Sequence, residues 1–409
     1  MSVQTKQRLI VTGLVIISMA ILFNEWSFGK IASYLGAAFL RTEDVARIWV
    51  FDLVCLIVGI TLVLSGYRAN KHVRQLSDAF IGILLTVAIL ILTELGFYVL
   101  NNASGSANTG VVWHQDSGSF HQEDQLLGYK PQPNFQISAI HKLDGRVVYD
   151  VVYSSDENSR RLTPIEASAQ RTKFILFFGG SYTFGWGVND NQTLPYHVAR
   201  FAPEYEPYNY GVAGYGPQHM LVQLENNKMD VEVQEAQGIL IYTFIENHIN
   251  RAIGSMKVTL NRGAHMPFYT MDAEDRIRQN GTLISGRPLL YRLYALLGTS
   301  QIVRYFDLDF PRINDDHYRM TARLIAESQK TFITKFTSND FYVLLYPGSG
   351  EHLIPYLERS QIKYLDYRHL LDQTEEPVQI PGDGHPTSNA YEIIAKKLVQ
   401  DLGISGASE

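Results

Sequence analysis

Three long apolar stretches, Leu9 to Phe23, Ala46 to Leu64 and Ala79 to Leu100, fall within the first hundred residues of this 409-residue chain, and the rest of it reads as mixed, charged and aromatic. A hydrocarbon core about 30 Å thick takes a helix of roughly 20 residues, so the second and third stretches are long enough to cross it. The first suffices if Trp26 and Phe28 sit at the interface. A cleaved signal peptide would also begin with cations and an apolar run, but Asn24, Glu25 and Trp26 stand where small residues mark a cleavage site. Cations near segment ends are retained on the cytoplasmic side. Lys6 and Arg8 precede the first stretch and Arg68, Lys71 and Arg74 fill the second loop, whereas Glu25, Glu43 and Asp44 dilute the cations of the first loop. The expectation is a multi-pass anchor in the cell (inner) membrane over residues 1–100, all α, with helices at about 9–23, 46–64 and 79–100. Everything after Leu100 is then extracytoplasmic, in the periplasm where there is one.

The formal net charge of -6 excludes a general nucleic-acid binder, because neutralising phosphates takes a surplus of Lys and Arg. The only cysteine, Cys55, builds neither an internal disulfide nor a Cys-based zinc site. Gly, Ser and Asn mark residues 101–126 as a linker, and residues 127–172, with the run Arg146 to Tyr153, read as a β-rich accessory segment. From Lys173 to the end, short apolar strands alternate with helical segments, which is the pattern of a parallel sheet covered on both faces. Strands are expected at Phe174 to Phe178, Pro207 to Gly211, Gly238 to Phe244, Phe341 to Tyr346 and Ile362 to Tyr367. The alternation breaks over residues 250–311, an insertion of the kind that often serves as a lid or binding loop.

In an open parallel sheet, ligands sit beyond the carboxyl ends of the strands. Four polar blocks occur there or before the last helix: Gly179-Gly180-Ser181, Gly211-Val212-Ala213-Gly214-Tyr215-Gly216, Ile245-Glu246-Asn247-His248, and Gly382-Asp383-Gly384-His385-Pro386. A serine hydroxyl needs a base within hydrogen-bond reach and a partner that fixes the base's tautomer, and donors aimed at the oxyanion supply the largest further stabilisation. These blocks hold one candidate for each task. A nucleotide-binding reading of the glycine loop lacks its acidic ribose partner in a βαβ unit. His219, His248 and His317 lack the spacing of metal ligands, so no metal and no cofactor is expected.

The order Ser, Gly, Asn, Asp/His resembles the SGNH (GDSL-like) hydrolase superfamily over roughly Lys173 to Leu402. GGSYTFGWGV, YNYGVAGYGPQ and GDGHP are most similar to membrane-attached bacterial members related to polysaccharide O-acetyl esterases and acetyltransferases. The resemblance implies a three-layer, flavodoxin-like α/β domain with a parallel sheet. It also implies Ser181 as nucleophile, His385 as general base, Asp383 as the acid orienting it, and an oxyanion hole of the Ser181 N–H, Gly214 and Asn247. Gly180 replaces the family's usual Asp, Glu-Asn-His replaces Gly-x-Asn-Asp, and one residue rather than two separates Asp383 from His385.

The function so implied is that of a serine esterase or O-acyltransferase acting, through an acyl-serine, on acyl (in the first instance acetyl) esters of a surface polysaccharide or glycolipid. The bilayer is the other partner, and a transferase would need a separate membrane protein to deliver acyl groups. Two alternatives stay open: a non-catalytic glycan-binding or assembly protein on the same fold, and a lipid esterase working at the membrane surface.

Overall fold

The computed structural model describes residues 3–22, part of 55–101, residues 110–113 and residues 119–405 except 167, 227 and 228. Two compact units are present, Met1–Gly105 and Ser106–Glu409. In the first, α1 (Val3–Leu22) is a regular helix, and the described residues within 55–66 and 86–101 are helical as well. Gly66 lies against Lys6 and Ile10, and Gly59 against Gly13 and Ile17, so α1 and the 55–66 segment run antiparallel. A methyl group on Gly13 would lie 2.6 Å from the Gly59 carbonyl oxygen: the two backbones approach as closely as small residues allow, a packing mode common between helices in lipid. Leu9, Val58 and Leu62 are buried along this seam. No helix among the described residues is long and apolar enough to cross a membrane. The rest of the spans expected at 46–64 and 79–100 lies outside the described residues.

Among its described residues the second unit contains twelve strands: β1 (Gly110–Trp113), β2 (His121–Asp124), β3 (Gly128–Pro131), β4 (Gln136–Leu143), β5 (Arg146–Ser154), β6 (Lys173–Phe178), β7 (Tyr205–Asn209), β8 (Gly238–Phe244), β9 (Pro267–Met271), β10 (Ile277–Thr282), β11 (Phe341–Leu345) and β12 (Tyr364–Asp366). Five form the central sheet in the order β7-β6-β8-β11-β12, every pair parallel. In chain order this is the 2-1-3-4-5 arrangement of flavodoxin-like folds, whose switch point falls beside the first strand, here β6. Side chains alternate across the sheet. Ile175, Phe177, Ile239 and Ile241 enter one core with Val198, Ile394 and Leu398. Phe174, Leu176, Phe178 and Leu240 enter the other with Met220, Leu224 and Phe332. The covering helices are α3 (Leu194–Phe201) and α9 (Ser388–Leu402) on the first face, and α4 (Pro217–Glu225) and α8 (Asp315–Phe336) on the second. The architecture is therefore α/β with three layers. Before α3, the single turn α2 (Ser181–Phe184) follows β6 directly.

Two stretches depart from expectation. Residues 101–126 are not simply linker: β1 pairs antiparallel with β4, and β2 with β3. Strand-forming Val111, Val112 and Trp113 lie among the glycines and serines that signalled a turn-rich connection. The insertion over 250–311 is likewise ordered, with α5 (Asn247–Ile253) leading into it, then the hairpin β9–β10, α6 (Pro288–Leu297) and α7 (Gln301–Tyr305). Its hydrophobic pattern is short-range, which hid a hairpin and two short helices from periodicity. The antiparallel sheet β1–β4–β5 sends Ile137, Ala139, Val151 and Tyr153 into the first core, so the accessory segment is packed against the main domain.

Candidate active site

The site is built where β6 ends. After Phe178 the chain turns through Gly179 and Gly180 into α2, which begins with Ser181. Gly180 is required by packing. A Cβ there would collide with the Arg251 guanidinium and lie 3.0 Å from His248 Nε2 and 3.1 Å from the Tyr215 carbonyl oxygen. Ser181 is 6% exposed, and its Oγ lies 2.8 Å from His385 Nε2 across 204 residues of sequence.

His385 comes from the tight loop before α9. The loop is closed by Asp383 and Gly384 N–H groups donating to the Ile380 carbonyl, at 3.2 and 2.9 Å, and by Ile380 N–H donating to the His385 carbonyl at 2.8 Å. Tyr182, beside the serine, donates its hydroxyl hydrogen to the Gly384 carbonyl at 3.1 Å and stands 5.2 Å, ring to ring, from His385. On the opposite ring nitrogen, Nδ1 makes a very short hydrogen bond with Asp383 Oδ1, which also accepts the His385 backbone N–H at 3.2 Å. A carboxylate at Nδ1 selects the tautomer that carries its proton there, leaving Nε2 to accept from Ser181. Burial works against ionisation of Asp383, yet the hydrogen bond and charge of His385, with His141 beyond, hold the carboxyl below its usual range.

His141 was not among the residues expected at the site. It lies on β4, is buried, and brings Nδ1 to 3.4 Å from Asp383 Oδ2, with Tyr149 packed edge-on against its ring. Neither local spacing nor a glycine turn marks it in the sequence. It reaches the acid because the accessory sheet packs over the loop.

Gly214 has the backbone conformation that favours glycine (φ +93°), and a Cβ there would strike the Tyr129 hydroxyl of β3, which donates to the Ala213 carbonyl at 2.7 Å. Neither the Ser181 nor the Gly214 N–H donates to another group among the described residues. Asn247 behaves differently from expectation. It is the first residue of α5, is exposed, and accepts a 3.3 Å hydrogen bond from Asn250 on Oδ1; no hydrogen bond among the described residues joins it to Ser181, Gly214 or His385. The helix turns it outward and its neighbours on the next positions inward.

Those inward residues are His248 and Arg251, three apart and so on one face of α5. His248 is fully buried, with Nδ1 2.7 Å from the Tyr242 hydroxyl and Nε2 without a hydrogen-bond partner among the described residues, and burial drives its pKa well below the ordinary value. Arg251 donates from Nη1 to the Tyr215 carbonyl at 2.8 Å. No carboxylate lies within ion-pair distance of it among the described residues. Burial lowers its pKa, against the opposing influence of Tyr129, Tyr242 and Tyr182. A buried guanidinium without a counter-charge, placed one residue from the nucleophile, is equipped to meet negative charge that arises there. The His-x-x-Arg spacing was the available sequence signal for it. Of the other histidines, His219 stacks on Tyr215 (4.0 Å, 11°) and accepts the Gly216 N–H at 3.1 Å on Nδ1, which is a structural role. A cleft of about 500 Å³ borders the second glycine loop; Asn209, Tyr210, Tyr215, Arg160, Glu232 and Lys130 help to line it, and Ser181 does not.

No protein-family profile and no curated relative matches the sequence. Among solved structures, the chain is similar to a member of the lipolytic G-D-S-L family from Veillonella parvula, at 16% identity over 56% of this chain and 98% of that one, with a TM-score of 0.34. It is also similar to an acetyl xylan esterase from the rumen bacterium Butyrivibrio proteoclasticus, at 11% identity over 67% and 73% of the two chains, with a TM-score of 0.33. These likenesses are weak, and what the site can do is read from its own geometry.

Proposed function

We propose that this chain is a membrane-attached, extracytoplasmic serine esterase or O-acyltransferase acting on acyl esters of a surface glycan or glycolipid. The observation that carries the reading is the line Ser181 Oγ, His385 Nε2, His385 Nδ1, Asp383 Oδ1, continuous in hydrogen bonds. On this reading Oγ attacks the acyl carbonyl while Nε2 takes its proton. The oxyanion is held by the free N–H groups of Ser181 and Gly214, in the field of Arg251. Collapse expels the sugar alcohol, which receives the proton from His385 and leaves an acyl ester on Ser181. Water or a second hydroxyl, deprotonated by His385 in turn, then takes the acyl group. Hydrolase and transferase differ only in that last acceptor, and a transferase would draw its acyl groups from a partner membrane protein. None of these steps needs a cofactor.

Membrane attachment is supported by the three apolar stretches and by the antiparallel, glycine-mediated contact of α1. The non-catalytic glycan-binding alternative is favoured by the tyrosine-bearing cleft at the second glycine loop. One comparison separates the two. A fluorophosphonate should label the wild-type chain on the peptide containing Ser181. In cells, Ser181→Ala at normal expression should change the ester content of the surface polysaccharide or glycolipid. Unchanged ester content with Ser181→Ala would remove the enzyme reading and leave the binding one.

A further inference from the structure

We propose that the outer face of α6 seats on an anionic lipid surface and holds the catalytic domain against the bilayer. In α6, Leu289, Leu293 and Leu296 recur at intervals of four and three and share one face, which is the spacing of a buried stripe. Here the stripe is turned outward: the three leucines are 78%, 48% and 68% exposed, while Tyr294, on the opposite side, is 4% exposed. The helix is fixed in that orientation. Arg287, immediately before it, donates from Nη1 to the Ile253 carbonyl at 2.9 Å and from Nη2 to the Gly254 carbonyl and to Thr259 Oγ1, and its guanidinium lies over the Tyr294 ring. Leu260, also exposed, packs beside Gly298 at the far end and lengthens the apolar strip.

Charge identifies the occupant. Between Asp275 and Asp307 the chain carries no Asp or Glu; of its arginines there, Arg276 and Arg278 pair with Asp272 and Glu274 and Arg287 is turned inward, which leaves Arg292 and Arg304 exposed. Arg292 lies between Leu289 and Leu293 on the exposed side and makes no ion pair among the described residues. Exposed leucines on one face of a helix that carries Arg292 and no acid match an interface of acyl chains and anionic headgroups, with the arginine stem lying along the apolar layer and its head in the phosphate plane. This face lies outside the residues assigned to catalysis, and the inference rests on the proposed membrane attachment only for its setting.

The test uses the full chain with a single added cysteine, Leu293→Cys, labelled with an environment-sensitive fluorophore; native Cys55 is buried, and the unsubstituted chain serves as its labelling control. Val231→Cys, at a position 80% exposed on the Met229–Glu232 turn, is the comparison. In vesicles of equal parts phosphatidylglycerol and phosphatidylcholine, emission from position 293 should shift to the blue and be quenched by lipids carrying shallow nitroxides. Position 231 should respond instead to aqueous iodide. In pure phosphatidylcholine, or with Leu289→Asp and Leu296→Asp together, the lipid quenching at 293 should fall severalfold. Iodide quenching of 293 in the anionic vesicles overturns the proposal. So does shielding from both quenchers, which would mean that another part of the chain covers the face, or shielding that depends on protein density in the vesicle, which would mean a second copy. Alkaline carbonate extraction keeps the anchor separate: a chain that stays in the membrane while 293 reads water loses the docking face alone, and a chain released by carbonate loses the anchor.

Discussion

At the residue scale, the contact between Gly180 and Arg251 ties the nucleophile turn to a helix seventy residues away in sequence. A methyl group at position 180 has nowhere to go unless the guanidinium moves, and the guanidinium is held by the Tyr215 carbonyl. Gly180→Ala should therefore lower kcat/KM by about two orders of magnitude, the size of effect expected when a reacting group is displaced by about an ångström. Arg251→Met alone should lower it by about 10²-fold through loss of charge near the oxyanion. Combined, the two should cost less than the sum, because the shorter side chain makes room for the methyl. Strict additivity in this cycle, with esterase turnover as the readout, would mean that the two residues do not touch. The convergence of Ser181, Asp383 and His385 was legible in the sequence because each sits in a short glycine-bounded turn next to a strand or helix. Asn247 begins a helix, so its side chain is exposed while His248 and Arg251 turn inward, and that placement could not be read from the block alone. His141 could not be found, since nothing near it in sequence says which loop its strand will cover.

At the scale of elements, the glycine loop between β7 and α4 is braced by His219. Burial, with the nearby charge of Arg251, lowers its pKa from the model-compound 6.5 to about 3. His121 on β2 is lowered to about 4 by burial and Arg262. In the unfolded chain these imidazoles take up protons as the pH falls through about 6.5, whereas in the folded chain they stay neutral until about 3 to 4. Stability is then unaffected above about 6.5 and falls as the pH is lowered below it, by up to about 1.4 kcal/mol per pH unit for each such histidine. The Tm should drop between pH 7 and pH 5, and His219→Gln should shrink that drop; an equal drop in both proteins would place the acid sensitivity elsewhere. The strands of the parallel sheet were readable because burial on both faces leaves unbroken apolar runs such as FILFF and GILIYTF. Elements of the insertion were not, because α6 spends its apolar face on the outside and β10 carries almost none.

For the whole molecule, the proposed membrane attachment makes a topological prediction from the cationic loop at Arg68, Lys71 and Arg74. A reporter fused after Leu100 should be active only outside the cytoplasm. Cytoplasmic activity would reverse the orientation and with it the class of substrate. The separation of 204 positions from Ser181 to His385 also has a temporal meaning. A ribosome releases the nucleophile long before its base. On the proposed reading, while the chain is being synthesised and exported past ester-rich lipids, the serine is an ordinary alcohol. A product that stops short of the final loop never acquires reactivity. On the proposed reading the linear order of the gene is itself the safety catch, arming the hydroxyl only once the last strand-to-helix turn has closed over it.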